Sequence, residues 1–496
     1  MWPTGRQSRV RCRSAMYGSC KPVASPSLRI GRYGAPRKSD RAYQASRRSE
    51  PKARPRNQVH VLRRRLLWKS SVRPCHNRDD DGAGGFPSMT QSPQLSVIIP
   101  TYNRARPLWR TLEALARQRM PLDDVEVVVA DDGSSDATRE VVTSFTGRIP
   151  LRYHFQPDLG FRAGAARNEG ARLAAAPVLA FLDTGILVGP DFARTHLEAH
   201  RSADLVIGYT LGYDPAAARV DWAALADELL PEQLMARLRD EPYFQDVRHA
   251  ALARTKFAMD RLAAPWFFTW TANLSVKAEH FWAVGAFDEE FRGWGLEDLE
   301  LGYRLVRAGA RVGLSRQAWG IESTHEHDPA GKAASSLQNV HRFVTKHQHP
   351  LLELFAALYT RKIGSLEEEY WSVEEWYREL IAWTRQVGAL DVRDELARAS
   401  EGGPGRIAVF GSGRSAPQDW PGSCALVEFD LGALEACADG RYHRVHGVGL
   451  RTPFADRSFD LVIISSRMRG LWDTWRTQLL AEAHRIGRKV RVTFAA

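Results

Sequence analysis

From residue 94 onward, short apolar runs alternate with longer stretches whose apolar positions recur at helical spacing. "LSVIIP" reads as a buried strand and "RPLWRTLEALARQ" as an amphipathic helix, followed by "DVEVVVADD" as a second strand and "DATREVVTSF" as its helix. "LRYHF", "RAGAARNEGARLAAA" and "PVLAFLD" continue as strand, helix and strand. This alternation predicts an α/β fold, a parallel sheet covered by helices on both faces. Residues 190–260 read as mostly helical around one further strand, "DLVIGYTLGY", and "GWGLEDLELGYRLVRAGARV" reads as a helix running into a strand. Residues 338–400 read as a helical appendage. Its aromatics, Tyr370, Trp371, Trp376 and Trp383, are expected to pack rather than to bind. "EGGPG" at 401–405 is a linker, and a second α/β run opens at "RIAVFGSG" and fills 401–496. No internal repeat is present.

Charge divides the chain at the same place as the pattern. Residues 1–88 carry 21 Lys and Arg against 5 Asp and Glu, whereas the remaining 408 residues carry 48 against 53. The overall net charge of +11 therefore belongs to the tail, and it gives no ground for expecting a nucleic-acid partner. The tail has no sustained apolar period and many Arg, Pro and Ser residues, which predicts disorder. It lacks the amphipathic face of a transit peptide. Met89 stands just before the first strong strand, which leaves open that translation starts there. Beyond residue 88 there are six Lys against 42 Arg, a bias expected of a GC-rich genome. The five cysteines, at 12, 20, 75, 424 and 437, have neither zinc-site nor disulfide spacing, so a reducing cytoplasm is expected. No run approaches the roughly 18 apolar residues of a membrane span.

In an open α/β sheet, ligands gather outside the carboxyl ends of the strands. The first strand ends in Thr101, Tyr102, Asn103 and Arg104, the second in Asp131, Asp132, Gly133, Ser134, Ser135 and Asp136. The helix after the third strand opens at Gly160-Phe161-Arg162 and carries Arg167 and Asn168, and the fourth strand ends in Asp183. A carboxylate able to accept from a pyrimidine N–H, backbone donors and an Arg for phosphates together suit a nucleotide diphosphate. Singly these are ordinary turn residues; in register they form a set.

"SVIIPTYNR", "VVVADDGSSD", "GFRAGAARNEG" and "FLD" resemble the GT-A fold of family 2 glycosyltransferases, over about residues 89–337. The resemblance implies a Rossmann-like, nucleotide-sugar-binding domain. It implies that Thr101 and Tyr102 line the nucleobase pocket, that Asp132 takes the uracil N–H, and that Asp183 meets the ribose or a metal. By the same analogy Arg162, Arg167 and Asn168 fall near the diphosphate. "FTWTANLSVKAEHFWAVGAFDEEFRGWGLEDLELGYRLVRAG" resembles the acceptor-side segment of β-1,4-galactosyltransferases and bacterial chondroitin polymerases. An inverting transfer needs one carboxylate to deprotonate the attacking hydroxyl. Asp298 suits that task, and Glu297 suits fixing acceptor hydroxyls. The plain alternative is that two acids simply favour a helix N-terminus. The adjacent Gly293-Trp294-Gly295 favours the sugar reading, with Trp294 and Trp270 as acceptor-binding faces that Trp266, Phe267 and Phe268 extend.

The family pattern Asp-x-Asp becomes Asp183-Thr184-Gly185 here, and Gly offers no ligand for the Mn²⁺ or Mg²⁺ that neutralises a leaving diphosphate. Downstream stands "STHEHDP". The resemblance implies a divalent site from Asp183 with His325 or His327. A structural polar cluster at the two histidines and a metal-independent variant leaning on Arg162 and Arg167 stay open.

"VFGSGRS", "VEFD" and "PFADRSFDLVIISS" resemble the class I methyltransferase Rossmann fold. Val409 stands where an acid is usual, Ser415 where a third glycine is, and the chain stops about halfway through such a domain. The module is therefore expected to be degenerate, serving packing or homodimer contacts, with Asp430 as the ribose ligand of any working version. The expected activity is inverting transfer of a hexose from a nucleotide diphosphate sugar such as UDP-glucose to a small-molecule hydroxyl. An aminocyclitol antibiotic such as validoxylamine is the specific expectation. Capsule or lipid-linked glycan assembly and a bifunctional glycosyl/methyltransferase are the alternatives.

Overall fold

Strand β1 (Leu95–Thr101) is buried along its length, as a continuous apolar run requires when helices cover both faces of a sheet. In the computed structural model it is followed by α1 (Ala105–Leu115), β2 (Val125–Asp131), α2 (Thr138–Ser144), β3 (Leu151–Phe155), α3 (Ala163–Leu173) and β4 (Val178–Leu182). Residues 92–212, 222–241, 244–322, 329–359, 361, 365–401, 405–414, 424–437 and 442–495 are described. They belong to a unit spanning Gly85–Ala496.

The chain continues through β5 (Ile186–Val188), α4 (Phe192–Ala199), β6 (Leu205–Leu211), α5 (Trp222–Glu228), α6 (Pro231–Leu238) and α7 (His249–Ala253). Then come β7 (Asn273–Lys277), α8 (Ala278–Ala283), α9 (Glu297–Arg307) and β8 (Val312–Glu322). The eight strands form one sheet in the order β3-β2-β1-β4-β7-β6-β8-β5. β1, β2, β3 and β4 pair in parallel, with Ile98 facing Val128 on one side and Phe181 on the other. β7 then runs antiparallel to both β4 and β6. The connection into β2 leaves β1 on one side, and that into β4 returns on the other. The crevice between the ends of β1 and β4 is thus the switch point where such sheets take ligands.

Helices α10 (Pro329–His347), α11 (Pro350–Ala357), α12 (Leu366–Val387) and α13 (Arg393–Ser400) follow, so the helical segment begins earlier than residue 338. One core runs from beneath the sheet through Trp266, Tyr303 and Phe343 to Phe355 and Tyr370. The edge-to-face contacts of Trp266 with Tyr303, Phe343 and Phe355 lock it together. The appendage aromatics pack as expected: Tyr370 is buried, Trp376 meets Trp475 edge-on, and the Trp383 indole N–H donates to the Arg467 carbonyl.

The last part comprises β9 (Ile407–Phe410), β10 (Cys424–Glu428), α14 (Leu431–Ala436), β11 (Tyr442–His446), β12 (Leu461–Ile464), α15 (Trp472–Ile486) and β13 (Val490–Val492). It forms a parallel sheet in the order β11-β10-β9-β12-β13. Its crevice is filled from within. Arg467, fully buried, pairs with Glu428 at 3.1 Å and donates to the Val387 and Leu390 carbonyls. Its side chain leaves a Cβ on Gly413 only 3.1 Å of room. Asp430 caps α14 by accepting from the Ala433 N–H at 3.1 Å.

Candidate active site

The ends of β1 and β2 are tied together by Asn103. Asn103, at φ 50°, places its Oδ1 to accept the N–H groups of Ser135 (2.7 Å) and Asp136 (3.3 Å). Short polar side chains tolerate this left-handed conformation. Around that joint opens a cavity of ≈ 1150 Å³. The cavity meets Thr101, Tyr102, Arg104, Asp132, Asp158, Arg167 and Asp183 at one end, and Trp270, Trp294, Glu297 and Asp298 at the other. The donor and acceptor candidates therefore share one enclosure.

Thr101 is buried, and its hydroxyl has no partner among the described residues. Tyr102 is half exposed and donates its hydroxyl to Asp158 at 2.8 Å. Asp132 already accepts from the Arg162 backbone N–H, the Arg162 guanidinium (both 2.9 Å) and Gln156 (2.6 Å). Oδ2 takes only one of these bonds and keeps a lone pair for another donor. Two expectations need correction. Arg162 is folded back onto Asp132 and the Pro157 carbonyl, and it does not border the cavity. Asn168 is buried, with its amide bonded to Phe287 and Glu289, and it does not border the cavity.

Arg167 does reach the cavity, but it is committed there. Its buried guanidinium bridges Asp183 at 2.8 Å and Glu297 at 3.0 Å, joining the end of β4 to the start of α9. The cation that the sequence pattern did not single out is Arg104. It borders the cavity within the fields of Asp183 and Glu322, and its side chain has no ion pair among the described residues. Burial lowers its pKa while those two carboxylates oppose the shift.

The acidic pair opens α9 directly after a strained loop. Gly293 (φ 74°), Gly295 (φ 97°) and Leu296 (φ 77°) all turn left-handed just before α9. Helix α10 lies on this loop: a Cβ on Gly293 would approach Ser335 Cβ to 2.7 Å, and Asn339 donates to the carbonyls of Arg292 and Gly295 at 3.1 and 2.8 Å. Glu297 leaves one oxygen buried without a partner among the described residues. Asp298 accepts from the Leu299 N–H at 2.8 Å and the Thr271 N–H at 3.3 Å. Burial and then the neighbouring Glu297 carboxylate push Asp298 up to about 7, against the pull of Arg167. That places a carboxylate within reach of neutral-pH proton transfer. Trp294 is half exposed at the cavity mouth, and Trp270 borders the cavity with Arg248 5.1 Å from its ring centre. Trp266 and Phe268 are core, whereas Phe267 touches the cavity wall.

Gly185 stands at φ 102° in the turn from β4 to β5, a conformation that favours glycine over any side chain. Its N–H is bonded to Thr111. Asp183 is 42% exposed with one oxygen on Arg167, so it fits as one oxygen donor to a divalent ion. Among the described residues no three His, Cys, Asp or Glu side chains gather as a metal site. His325 and His327 lie outside the described residues.

Comparison with known proteins agrees with this geometry. The "Glycosyl transferase family 2" profile matches residues 96–261, and the "N-terminal domain of galactosyltransferase" profile matches residues 253–328. Validoxylamine A glucosyltransferase of Streptomyces hygroscopicus subsp. jinggangensis (strain 5008) is 45% identical over 413 residues, covering 80% of this chain and 96% of that protein. The chain is a family 2 glycosyltransferase. As such it transfers a sugar from a nucleotide-sugar donor. The chondroitin synthase of Escherichia coli is 32% identical over 256 residues, 48% of this chain and 35% of that protein. The crystal structure of S. aureus TarS 1–349 with UDP-GlcNAc aligns with a TM-score of 0.38 and 17% identity, over 60% of this chain and 74% of that one. Such a loose likeness adds nothing to the assignment. No helix of this glycosyltransferase, among the described residues, is long and apolar enough to cross a membrane.

Proposed function

We propose that this glycosyltransferase moves glucose from UDP-glucose, with inversion, to a hydroxyl of an aminocyclitol of the validoxylamine kind. The observation that carries the reading is Asp298: a half-buried carboxylate raised toward neutrality, in the same cavity as the strand-end residues that suit a nucleotide. The acceptor oxygen attacks C1 of the sugar, its proton passes to Asp298, and the C1–O bond to the diphosphate breaks. Thr101 and Tyr102 border the uracil, and the free lone pair of Asp132 Oδ2 accepts its N–H. Arg104 faces the diphosphate, the place first expected for Arg162 and Asn168. Arg167 acts by positioning: it fixes Asp183 and Glu297 against each other across the reacting centre. Glu297 turns its unpartnered oxygen to an acceptor hydroxyl, with Trp294 and Trp270 beneath the ring. A Mg²⁺ or Mn²⁺ ion, held by Asp183 with His325 or His327, would neutralise the leaving diphosphate.

The 45% identity to a validoxylamine A glucosyltransferase over nearly its whole length supports this donor and acceptor over a glycan-polymer acceptor. The test is incubation with UDP-glucose and validoxylamine A, with the product's anomeric configuration read by NMR. A β-linked glucoside is expected from the α-linked donor. An α-linked product would overturn inversion, and no product with this pair would overturn the assignment of substrates.

A further inference from the structure

The cavity extends past Asp298 to a wall built by the helical segment: Phe355, Leu358 and Tyr359 around the end of α11, and Leu366 and Glu369 on α12. This wall is largely apolar, which makes Glu369 conspicuous. Its carboxylate is half-buried and borders the cavity, and no hydrogen bond or ion pair to it exists among the described residues. Burial alone acts on it and lifts its pKa, whereas a paired carboxylate would show the downward pull of its cation. Two cations of the cavity are spent elsewhere, Arg248 on Asp246 and the carbonyls of Gly208 and Phe268, Arg167 on Asp183 and Glu297, and the third, Arg104, lies in the fields of Asp183 and Glu322. The Tyr359 hydroxyl lies in the fields of both Glu369 and Asp298, so the two acids bracket one stretch of cavity.

A desolvated carboxylate without a cation is costly, and it persists where a ligand supplies the charge. A single carboxylate in an aromatic wall is a poor metal site, since hard cations need several oxygens. It suits an ammonium group, which gains a charged hydrogen bond and the nearby aromatic faces. Glu297, nine-tenths buried with one unpartnered oxygen in the same cavity, meanwhile offers an acceptor for a hydroxyl.

We infer that Glu369 is the acceptor-specificity residue, binding an ammonium group of a polyhydroxylated acceptor whose hydroxyl is presented to Asp298. This rests on the glycosyl-transfer reading and names the feature that selects its acceptor. Amine-bearing cyclitols enter, and neutral polyols of the same shape are disfavoured.

The test is calorimetric titration of the full chain, saturated with UDP, using scyllo-inosamine and scyllo-inositol, which differ in one amine for one hydroxyl. The wild type is expected to prefer the inosamine by roughly 10- to 100-fold, the range a charged hydrogen bond provides. In Glu369→Gln the two probes are expected to bind alike, and Glu369→Asp should restore part of the preference. A wild type that does not discriminate, or a Glu369→Gln variant that still does, overturns the inference. UDP titration of each sample reports separately on the donor end. Failure of the wild type to bind UDP removes the glycosyl-transfer reading and this inference with it, whereas UDP binding without amine preference removes this inference alone.

Discussion

At the scale of single residues, the site depends on where charge is left unpaired. Asp298 and Glu297 are adjacent acids, yet Arg167 neutralises only Glu297 directly, and Asp298 is left to carry the raised pKa. A general base must be deprotonated to act. The value of about 7 therefore predicts that kcat/KM falls as pH drops below neutrality, with an acid limb near that point. A profile flat from pH 5 to 8 would be inconsistent with Asp298 as the base. Arg104 yields a second expectation. Arg104→Ala should weaken UDP binding by roughly tenfold, the loss of one charge-assisted contact, read by calorimetry. Binding of uridine, which has no phosphates, should barely change, and equal losses for UDP and uridine would count against the assignment.

The sequence exposes Asp183, Glu297 and Asp298 because they end strands or open a helix beside glycines. Arg104 and Arg162 could not be ranked that way. Arg104 follows the end of β1 and Arg162 precedes α3, and only the fold shows that Arg162 turns onto Asp132 while Arg104 stays in the cavity. Asn168 has the composition of a ligand and the burial of a brace, a difference set by Phe287 from a segment about 120 residues away.

At the scale of elements, β1 to β4 were legible because both faces are covered and their apolar runs are unbroken. β7 was not: Asn273 and Ser275 look like loop residues, but both are buried. Their partners, His196 on α4 and His200 just past its end, satisfy them, and burial holds both imidazoles down at about 4. The helical segment was legible as helix, but its joints were not. Glu353 on α11 is buried and accepts from the N–H groups of Val448, Gly449, Leu450 and Arg451 at 2.5–3.1 Å. Four donors converging on one carboxylate fix the helix that carries Phe355 and Tyr359 to the last sheet. Glu353→Gln keeps the shape but turns an amide N–H₂ toward those donors. It should cost about 1–3 kcal/mol in denaturant unfolding, and an unchanged midpoint would show that the nest contributes little.

At the scale of the whole molecule, the last sheet is packed onto the helical segment, with Trp376 edge-on to Trp475 and Arg467 donating to the Val387 carbonyl. Arg467 fills the crevice at its glycine loop, where a nucleotide cofactor would have to enter. The cavity that holds Asp298 lies elsewhere, between the first sheet and the helical segment. That cavity is bordered by the strand ends, by the start of α9 and by residues of α11 and α12.

The proposed reaction turns on Asp298 taking the acceptor's proton in this cavity. The most direct measurement compares wild type with Asp298→Asn for transfer from UDP-glucose to validoxylamine A, with UDP affinity measured on the same samples. Turnover is expected to fall by roughly 10²- to 10⁴-fold with UDP binding retained. Transfer by Asp298→Asn at the wild-type rate would contradict it.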